Sequence, residues 1–290
     1  MRVLVTGGSG RLGRWVVREL AQAGHDVVSA DQAPPSRGGG EEMFRARRFV
    51  RVNMADVGQV AGALTGCDAV VHLAAIPAPY GHPDEVVFSN NTGATFAVLQ
   101  AASLLGVRRA VIASSISALG MAWSEEPFFP LYAPVDEEHP LLGRDPYALS
   151  KEVDERTAEM FHRRTGMTVL AYRFHWIALE EEAVQQAERL RERPEEWAYQ
   201  MWGYVDVRDA ARACRLGLES EVQGFEVLNI IAADTLASHP TEELIRAYCS
   251  GTELRQPIEG TATAWSIQKA RRLLGYEPQH SWRPDRPVET

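Results

Sequence analysis

Short runs of apolar residues alternate with longer amphipathic stretches through the first 175 positions of the chain. Runs rich in β-branched residues at 3–5, 26–30, 49–52, 69–73, 110–113 and 168–172 predict six strands, and their unbroken apolar character is that of strands covered on both faces. Between them a helical period predicts helices over 12–23, 57–64, 85–105 and 147–164. Each stops beside a glycine, Gly24, Gly66, Gly106 or Gly166, the residue that most readily takes the left-handed cap conformation. Strands separated by helices pair in parallel through right-handed crossovers, so the expected fold is an α/β doubly wound parallel sheet. Beyond residue 175 the rhythm changes to helices at 180–192, 205–218, 241–248 and 263–274 around one strand at 225–230. This predicts a sheet domain over 1–175 and a small C-terminal α/β lobe over 176–290, partly intertwined with it.

Composition narrows the classes of function. With 30 Lys and Arg against 39 Asp and Glu, the formal net charge is −9, the wrong sign for a protein that gains affinity by displacing counterions from nucleic acid. The 290 residues are 45% hydrophobic, enough to form a core without disulfide or metal staples. Cys67, Cys214 and Cys249 are odd in number, far apart and without any Cys-x-x-Cys pair, which fits a reducing compartment. The longest mostly apolar segment, 69–79, is interrupted by His72 and broken by Pro77 and Pro79, well short of the ~20 residues that span a bilayer. Met1 leads directly into Val3-Leu4-Val5 with no charged leader. The expectation is a cytoplasmic protein that binds neither membrane nor nucleic acid.

Candidate chemistry begins where the first strand meets the first helix. Thr6-Gly7-Gly8-Ser9-Gly10-Arg11-Leu12-Gly13 contains Gly-x-Gly-x-x-Gly from Gly8 and Gly-x-x-Gly-x-x-Gly from Gly7. In a strand–turn–helix setting such glycines permit the tight turn, let backbone N–H groups approach a pyrophosphate, and bring the positive end of the helix onto the anion. The segment predicts a Rossmann-type NAD site that includes Gly7, Gly10, Arg11, Leu12 and Gly13. Asp31, 18 residues after Gly13, can accept hydrogen bonds from both hydroxyls of the adenosine ribose and would repel a 2′-phosphate, which favours NAD over NADP. Arg37, Arg45, Arg47, Arg48 and Arg51 are the competing observation, since they could hold that phosphate; a solvated loop and strand edge also accounts for them, within a turn-rich, mobile surface loop over 32–48. Asn53 and Met54 stand where side chain and backbone can read the adenine edge, while Asp56 has the position of a helix N-cap.

Tyr147 and Lys151 lie four residues apart on one helix face, just after the helix-starting pair Asp145-Pro146. A phenol, with its reference pKa of ~10, is a poor base at neutrality, but a neighbouring ammonium stabilises the phenolate and brings it toward the range where it can take a hydroxyl proton. The fifth strand runs into Ser114-Ser115-Ile116-Ser117, at the carboxyl edge of the sheet where ligands bind in such folds. Ser115 is placed to hold a substrate oxygen for the tyrosine, with Ser117 beside it. Turn capping is the alternative, above all for Ser114 and Ser117.

Together these pieces resemble an extended short-chain dehydrogenase/reductase of the NAD-dependent epimerase/dehydratase family. The similarity runs from residue 3 to about residue 276 and rests on Gly7, Gly10, Gly13, Asp31, His72-Leu73-Ala74-Ala75, Asn91 with Thr95, Ser114-Ser115, Tyr147 with Lys151, and Tyr204-Val205-Asp206-Val207-Arg208-Asp209. It implies that Leu73, Ala74 and Ala75 line the cofactor and that Asn91 positions the loop and a proton-relay water near Lys151. It also implies that Ser115 binds the substrate oxygen, that Tyr147 is the acid/base, and that Lys151 grips the nicotinamide ribose as well. A homodimer joined through the helix at 85–105 and the Tyr147 helix is implied too.

Two departures bear on the substrate. Leu119-Gly120 stands where the family usually has Tyr-Gly, and only 30 residues separate Arg173 from Tyr204, without the Gly-Pro-Arg stretch that nucleotide-sugar epimerases place there. The shortening points to a smaller, non-nucleotide substrate, as in uronate dehydrogenases, which are similar in length and have arginine at the position of Arg173. Their Ser-Ser-Asn-His stretch is Ser114-Ser115-Ile116-Ser117 here. Arg173 could grip a substrate carboxylate bidentately or form an ion pair at the strand end.

His72, His82, His162 and His175 have no metal-ligand spacing, so no metal is expected. The charged stretch 180–196 reads as a solvated face. The segment 77–83, with Tyr80 and His82, is expected over the active site, and Trp123, Trp176 and Trp202 could line the same cleft or fill the small lobe. The expected activity is NAD-dependent hydride transfer between a sugar or sugar-acid hydroxyl and nicotinamide, with Tyr147 taking the hydroxyl proton. The alternative is a sugar or nucleotide-sugar epimerase or dehydratase with no net cofactor turnover, and a third reading is a non-catalytic dinucleotide sensor.

Overall fold

A computed structural model describes residues 1–34 and 46–283; Arg37 and Arg45 lie outside the described residues. The chain runs β1 (Arg2–Thr6), α1 (Arg11–Gln22), β2 (Asp26–Asp31), β3 (Arg48–Arg51), α2 (Val57–Leu64), β4 (Ala69–His72), α3 (Asp84–Leu104) and β5 (Arg109–Ser115). A short β6 (Tyr132–Ala133) precedes α4 (Pro146–Thr165), β7 (Thr168–Phe174) and β8 (Ile177–Ala178). There follow α5 (Glu180–Glu192), β9 (Val205–Asp206), α6 (Val207–Glu219), β10 (Phe225–Ile230), α7 (Thr241–Tyr248), β11 (Glu253–Leu254) and α8 (Gln268–Leu274).

Seven strands form one parallel sheet in the order β10-β7-β5-β4-β1-β2-β3. All six strands expected from the apolar runs are in it, and β10 joins as the seventh along β7. Alternate residues of the same strands serve two layers. Val3, Val5, Val111 and Tyr172 pack under α1 and α6, while Leu4, Val70, Ile112 and Val169 pack under α2, α3 and α4. Covering on both faces is why the strands read as unbroken apolar runs. The chain order reverses between β1 and β4, so the loops leaving these neighbouring strands diverge and open a crevice at the carboxyl edge.

A separate cluster around Trp202, Tyr204, Leu236 and Trp265 forms the core of the later part. Here two expected boundaries move. The final helix begins at Gln268 rather than at residue 263, because Thr263 and Ser266 donate their amides to Ala233 at 3.0 Å and Val135 at 2.8 Å. Val205 and Asp206 pair with Ile177 and Ala178 as a strand, and α6 starts after them, capped by the Asp206 side chain. In both places a helical period gives way to backbone hydrogen bonds with distant residues. Among the described residues no helix is long and apolar enough to cross a membrane.

Candidate active site

The turn from β1 into α1 has glycine where no side chain fits. A Cβ on Gly13 would overlap the Gly7 carbonyl oxygen, and one on Gly7, which sits at φ 67°, would stand 2.7 Å from the Ala74 amide nitrogen. The helix begins after Gly10 with no side-chain cap, so the amides of Arg11, Leu12 and Gly13 have no intrahelical acceptor. Thr6, at the end of β1, ties this turn to the loop after β4: its Oγ1 accepts from the amides of Leu73 at 3.2 Å and Ala74 at 3.4 Å. That hydroxyl has its own proton left to give to His72 Nδ1 at 2.7 Å, which leaves the imidazole proton on Nε2, facing Thr95 Oγ1 at 3.3 Å. Burial, with the charge of Lys151 adding to it, lowers the His72 pKa to about 3, so the ring is neutral.

Asp31 stands against the glycine turn, its Oδ2 accepting from the Ser9 amide at 3.0 Å and its Oδ1 from the Gln32 amide at 2.7 Å. Asn53 is exposed and accepts from the Ala55 amide at 3.1 Å, and the Met54 side chain is buried in the core. Asp56 is the N-cap of α2. The Arg11 side chain departs from the sequence expectation of a cofactor contact. It leaves the turn to pair with Glu182 of α5 and to reach the Ile177 carbonyl at 3.4 Å, so what Arg11 offers at the turn is its amide. Arg47 pairs with Asp26 at 3.0 Å.

Asp145 caps α4 by accepting from the Ala148 amide at 2.8 Å, with Pro146 in the first turn. This helix buries both Tyr147 and Lys151. The Lys151 nitrogen lies 5.7 Å from the centre of the Tyr147 ring and donates to the Ala113 carbonyl at 2.9 Å and to Asp154 Oδ2 at 3.1 Å. Burial opposes the ammonium charge, but Asp154, Tyr147 and Glu155 outweigh it and hold the lysine above its ordinary pKa. Asn91 on α3 grips Ile76 at both amide, 2.8 Å, and carbonyl, 3.0 Å, and donates to Ser150 Oγ at 3.2 Å. Ser150 in turn donates to the Tyr147 carbonyl at 2.7 Å. One asparagine thus joins the loop after Ala75 to the helical turn that carries the tyrosine.

Ser115 caps the 3-10 turn 116–119, accepting from the Ser117 amide at 3.1 Å, and α4 packs on that turn. The cap uses an oxygen lone pair and leaves the hydroxyl proton to give to a ligand. Ser117 is buried in the same turn. Ser114 donates to Glu155 Oε1 at 2.6 Å. The substrate-clamp reading of Arg173 is overturned. The residue is 4% exposed, and its Nε and Nη2 each donate to Glu155 at 2.8 Å while Nη1 donates to the Glu137 carbonyl at 3.2 Å. Its two-pronged edge is already occupied by a carboxylate of the same chain, the ion-pair alternative.

Tyr80 and Trp123 meet edge to face with ring centres 5.0 Å apart, and Trp176 meets Trp197 at 5.5 Å. Trp202 instead fills the small core, its Nε1 donating to the Pro194 carbonyl at 2.7 Å. Among the described residues no group of three or more His, Cys, Asp and Glu side chains could hold a metal ion. Sequence reasoning passed over Thr6, Asp154 and Glu155. The two acids had a legible signal, three and four residues after Lys151, whereas Thr6 meets His72 only through the β1–β4 register.

The residues of the crevice fit a dinucleotide, with a cradle closed to any Cβ, an uncapped helix start and a carboxylate beside it. The model of the NAD dependent epimerase/dehydratase family matches residues 3–230. The chain belongs to this family. It is therefore an NAD-dependent enzyme of the epimerase/dehydratase kind. It is 27% identical over 259 residues to tetraketide alpha-pyrone reductase 1 of Arabidopsis thaliana, across 82% of this chain and 79% of that one. It is 27% identical over 182 residues to UDP-glucose 4-epimerase of Lacticaseibacillus casei, across 61% of this chain and 52% of the epimerase, so the match spans about half of that protein's length. Among solved structures, a short-chain dehydrogenase/reductase superfamily protein from Agrobacterium tumefaciens with bound NAD shares the fold, with a TM-score of 0.71 and 23% identity across 97% of this chain and 94% of that one.

Proposed function

We propose that this enzyme is an NAD-dependent oxidoreductase for a hydroxyl of a sugar or sugar acid that carries no nucleotide. The observation that carries the reading is the buried Lys151 ammonium 5.7 Å from the centre of the Tyr147 ring, on a helix that packs against the carboxyl-edge turn after β5. Gly7, Gly10, Gly13 and the amides of Arg11 and Leu12 are assigned to the pyrophosphate, Asp31 to the adenosine ribose, Asn53 and the Met54 backbone to adenine. Leu73, Ala74 and Ala75 form the opposite wall. When bound, NAD supplies the hydride acceptor. Tyr147 takes the substrate hydroxyl proton on Oη, with the Lys151 ammonium beside its ring. Ser115 gives its proton to the same substrate oxygen and holds it in place. Asn91 and Ser150 keep the tyrosine's turn against the loop.

A compact substrate is supported by what fills the lobe beyond β7. The chain passes directly into β8, and Trp202, Tyr204 and Trp265 are packed into the core of that lobe. The test offers NAD or NADP with a panel of free sugars, uronates and nucleotide sugars. Reduced nicotinamide is expected to accumulate with NAD and a free sugar or uronate. Epimeric product without reduced nicotinamide, or turnover confined to nucleotide sugars, would refute the reading.

The reading also includes a homodimer joined through the outer faces of α3 and α4, where Val86, Phe96 and Leu149 are exposed apolar residues on neighbouring helices. Leu149→Glu combined with Val86→Glu is expected to turn dimers into folded monomers in sedimentation velocity. A monomeric wild type would dispose of that interface.

A further inference from the structure

The amine beside the acid/base tyrosine has its own counter-ion. Asp154, one turn further along α4, accepts from Lys151 Nζ at 3.1 Å, and the two side chains are 4% and 1% exposed. The carboxylate is held by the lysine and by the Thr95 side chain of α3, the lysine being its one charged partner among the described residues. Tyr147 and Glu155 also favour the ammonium, but Asp154 contributes most and is the carboxylate that hydrogen-bonds it. On α4, Glu155 is committed to Arg173 of β7 and to Ser114 of β5. From β4, His72 is neutral and adds no negative charge. From α3, Thr95 and Asn91 are polar but uncharged, and β5 adds the Ala113 carbonyl. An amine buried in this way loses its proton unless a carboxylate is paired with it, because desolvation penalises the charged form.

We propose that Asp154 is a positioning residue for the reaction: its pairing with Lys151 keeps that amine charged and aimed beside the ring of Tyr147 as the pH rises. The inference rests on the reading of Tyr147 as acid/base. Asp154 and Glu155 then have separate tasks despite being adjacent, because consecutive helical residues point in different directions: one serves the catalytic lysine, the other the buried Arg173.

Asp154→Asn tests this in two ways. In the pH profile of substrate oxidation, the variant is expected to lose activity on the alkaline side, with the descending limb about 1–3 pH units below that of the wild type as Lys151 discharges; Asp154→Glu, which keeps the charge, restores the limb. A variant profile parallel to the wild type at reduced height, or an early limb in Asp154→Glu as well, would overturn the proposal. The second measurement needs no substrate. Without its counter-ion the folded-state lysine binds its proton more weakly than the unfolded chain does, so stability rises with pH. The melting-temperature gap between variant and wild type should therefore narrow between about pH 7 and about pH 9.5. A constant gap would overturn the proposal. A narrowing gap alongside an active Tyr147→Phe enzyme would refute the acid/base reading, and Asp154's catalytic purpose with it, while leaving the ion pair in place. Should Asp154→Asn fail to fold, Lys151→Met/Asp154→Asn, which removes both charges, is expected to fold; if it does not, the stranded charge is not the cause and the proposal fails.

Discussion

Tyr147→Phe is expected to lower turnover by about 10²–10⁴-fold, the usual contribution of a positioned acid/base group, and to leave NAD binding largely intact. The substitution keeps the ring, which is buried at the start of α4, and removes the oxygen proposed to exchange the proton. The glycine turn and Asp31 lie on β1, α1 and β2, so cofactor affinity has no reason to follow turnover. The measurement pairs the rate of reduced-nicotinamide formation with quenching of protein fluorescence by cofactor. Retention of more than about a tenth of wild-type turnover would remove the phenol from the mechanism. Equal loss of binding and turnover would instead show that the ring has a packing role.

Arg173→Met should cost about 3–5 kcal/mol of stability, because it strands the Glu155 carboxylate in a site sealed from water. Two bonds of 2.8 Å join the pair, and both residues are at most 5% exposed. The urea midpoint reads the loss, and the double variant Arg173→Met/Glu155→Met should recover most of it, since an apolar pair of similar volume leaves no unpaired charge. A single variant as stable as the wild type, with a KM raised for acidic substrates, would return Arg173 to the substrate. The glutamate in its grasp makes the opposite result the expected one.

How much could be read from the chain varies with the distance over which each feature is decided. The sheet strands were legible because burial on both faces writes a continuous apolar run, and the end of α4 because Gly166 takes φ 71° at its cap. Tyr147 and Lys151 announce themselves by spacing on one helix. The start of α8 was misread because Thr263 and Ser266 are claimed by backbone groups of Ala233 and Val135, which no local period records. Arg11 was read as part of the cofactor turn, and only the approach of α5 draws its side chain to Glu182.

The amino-acid sequence alone therefore determined the alternation of strands and helices in the main sheet, the glycine turn, the placing of Tyr147 and Lys151 on one helix face, and the family, all of which depend on neighbours within a few turns of chain. Tertiary structure decided which buried group meets which: Arg173 with Glu155, Lys151 with the Ala113 carbonyl, Thr6 with His72. A buried charge or donor must be satisfied by whatever lies beside it in space. Strand register and helix packing bring those partners together from far apart in the sequence, so composition and spacing alone could not name them.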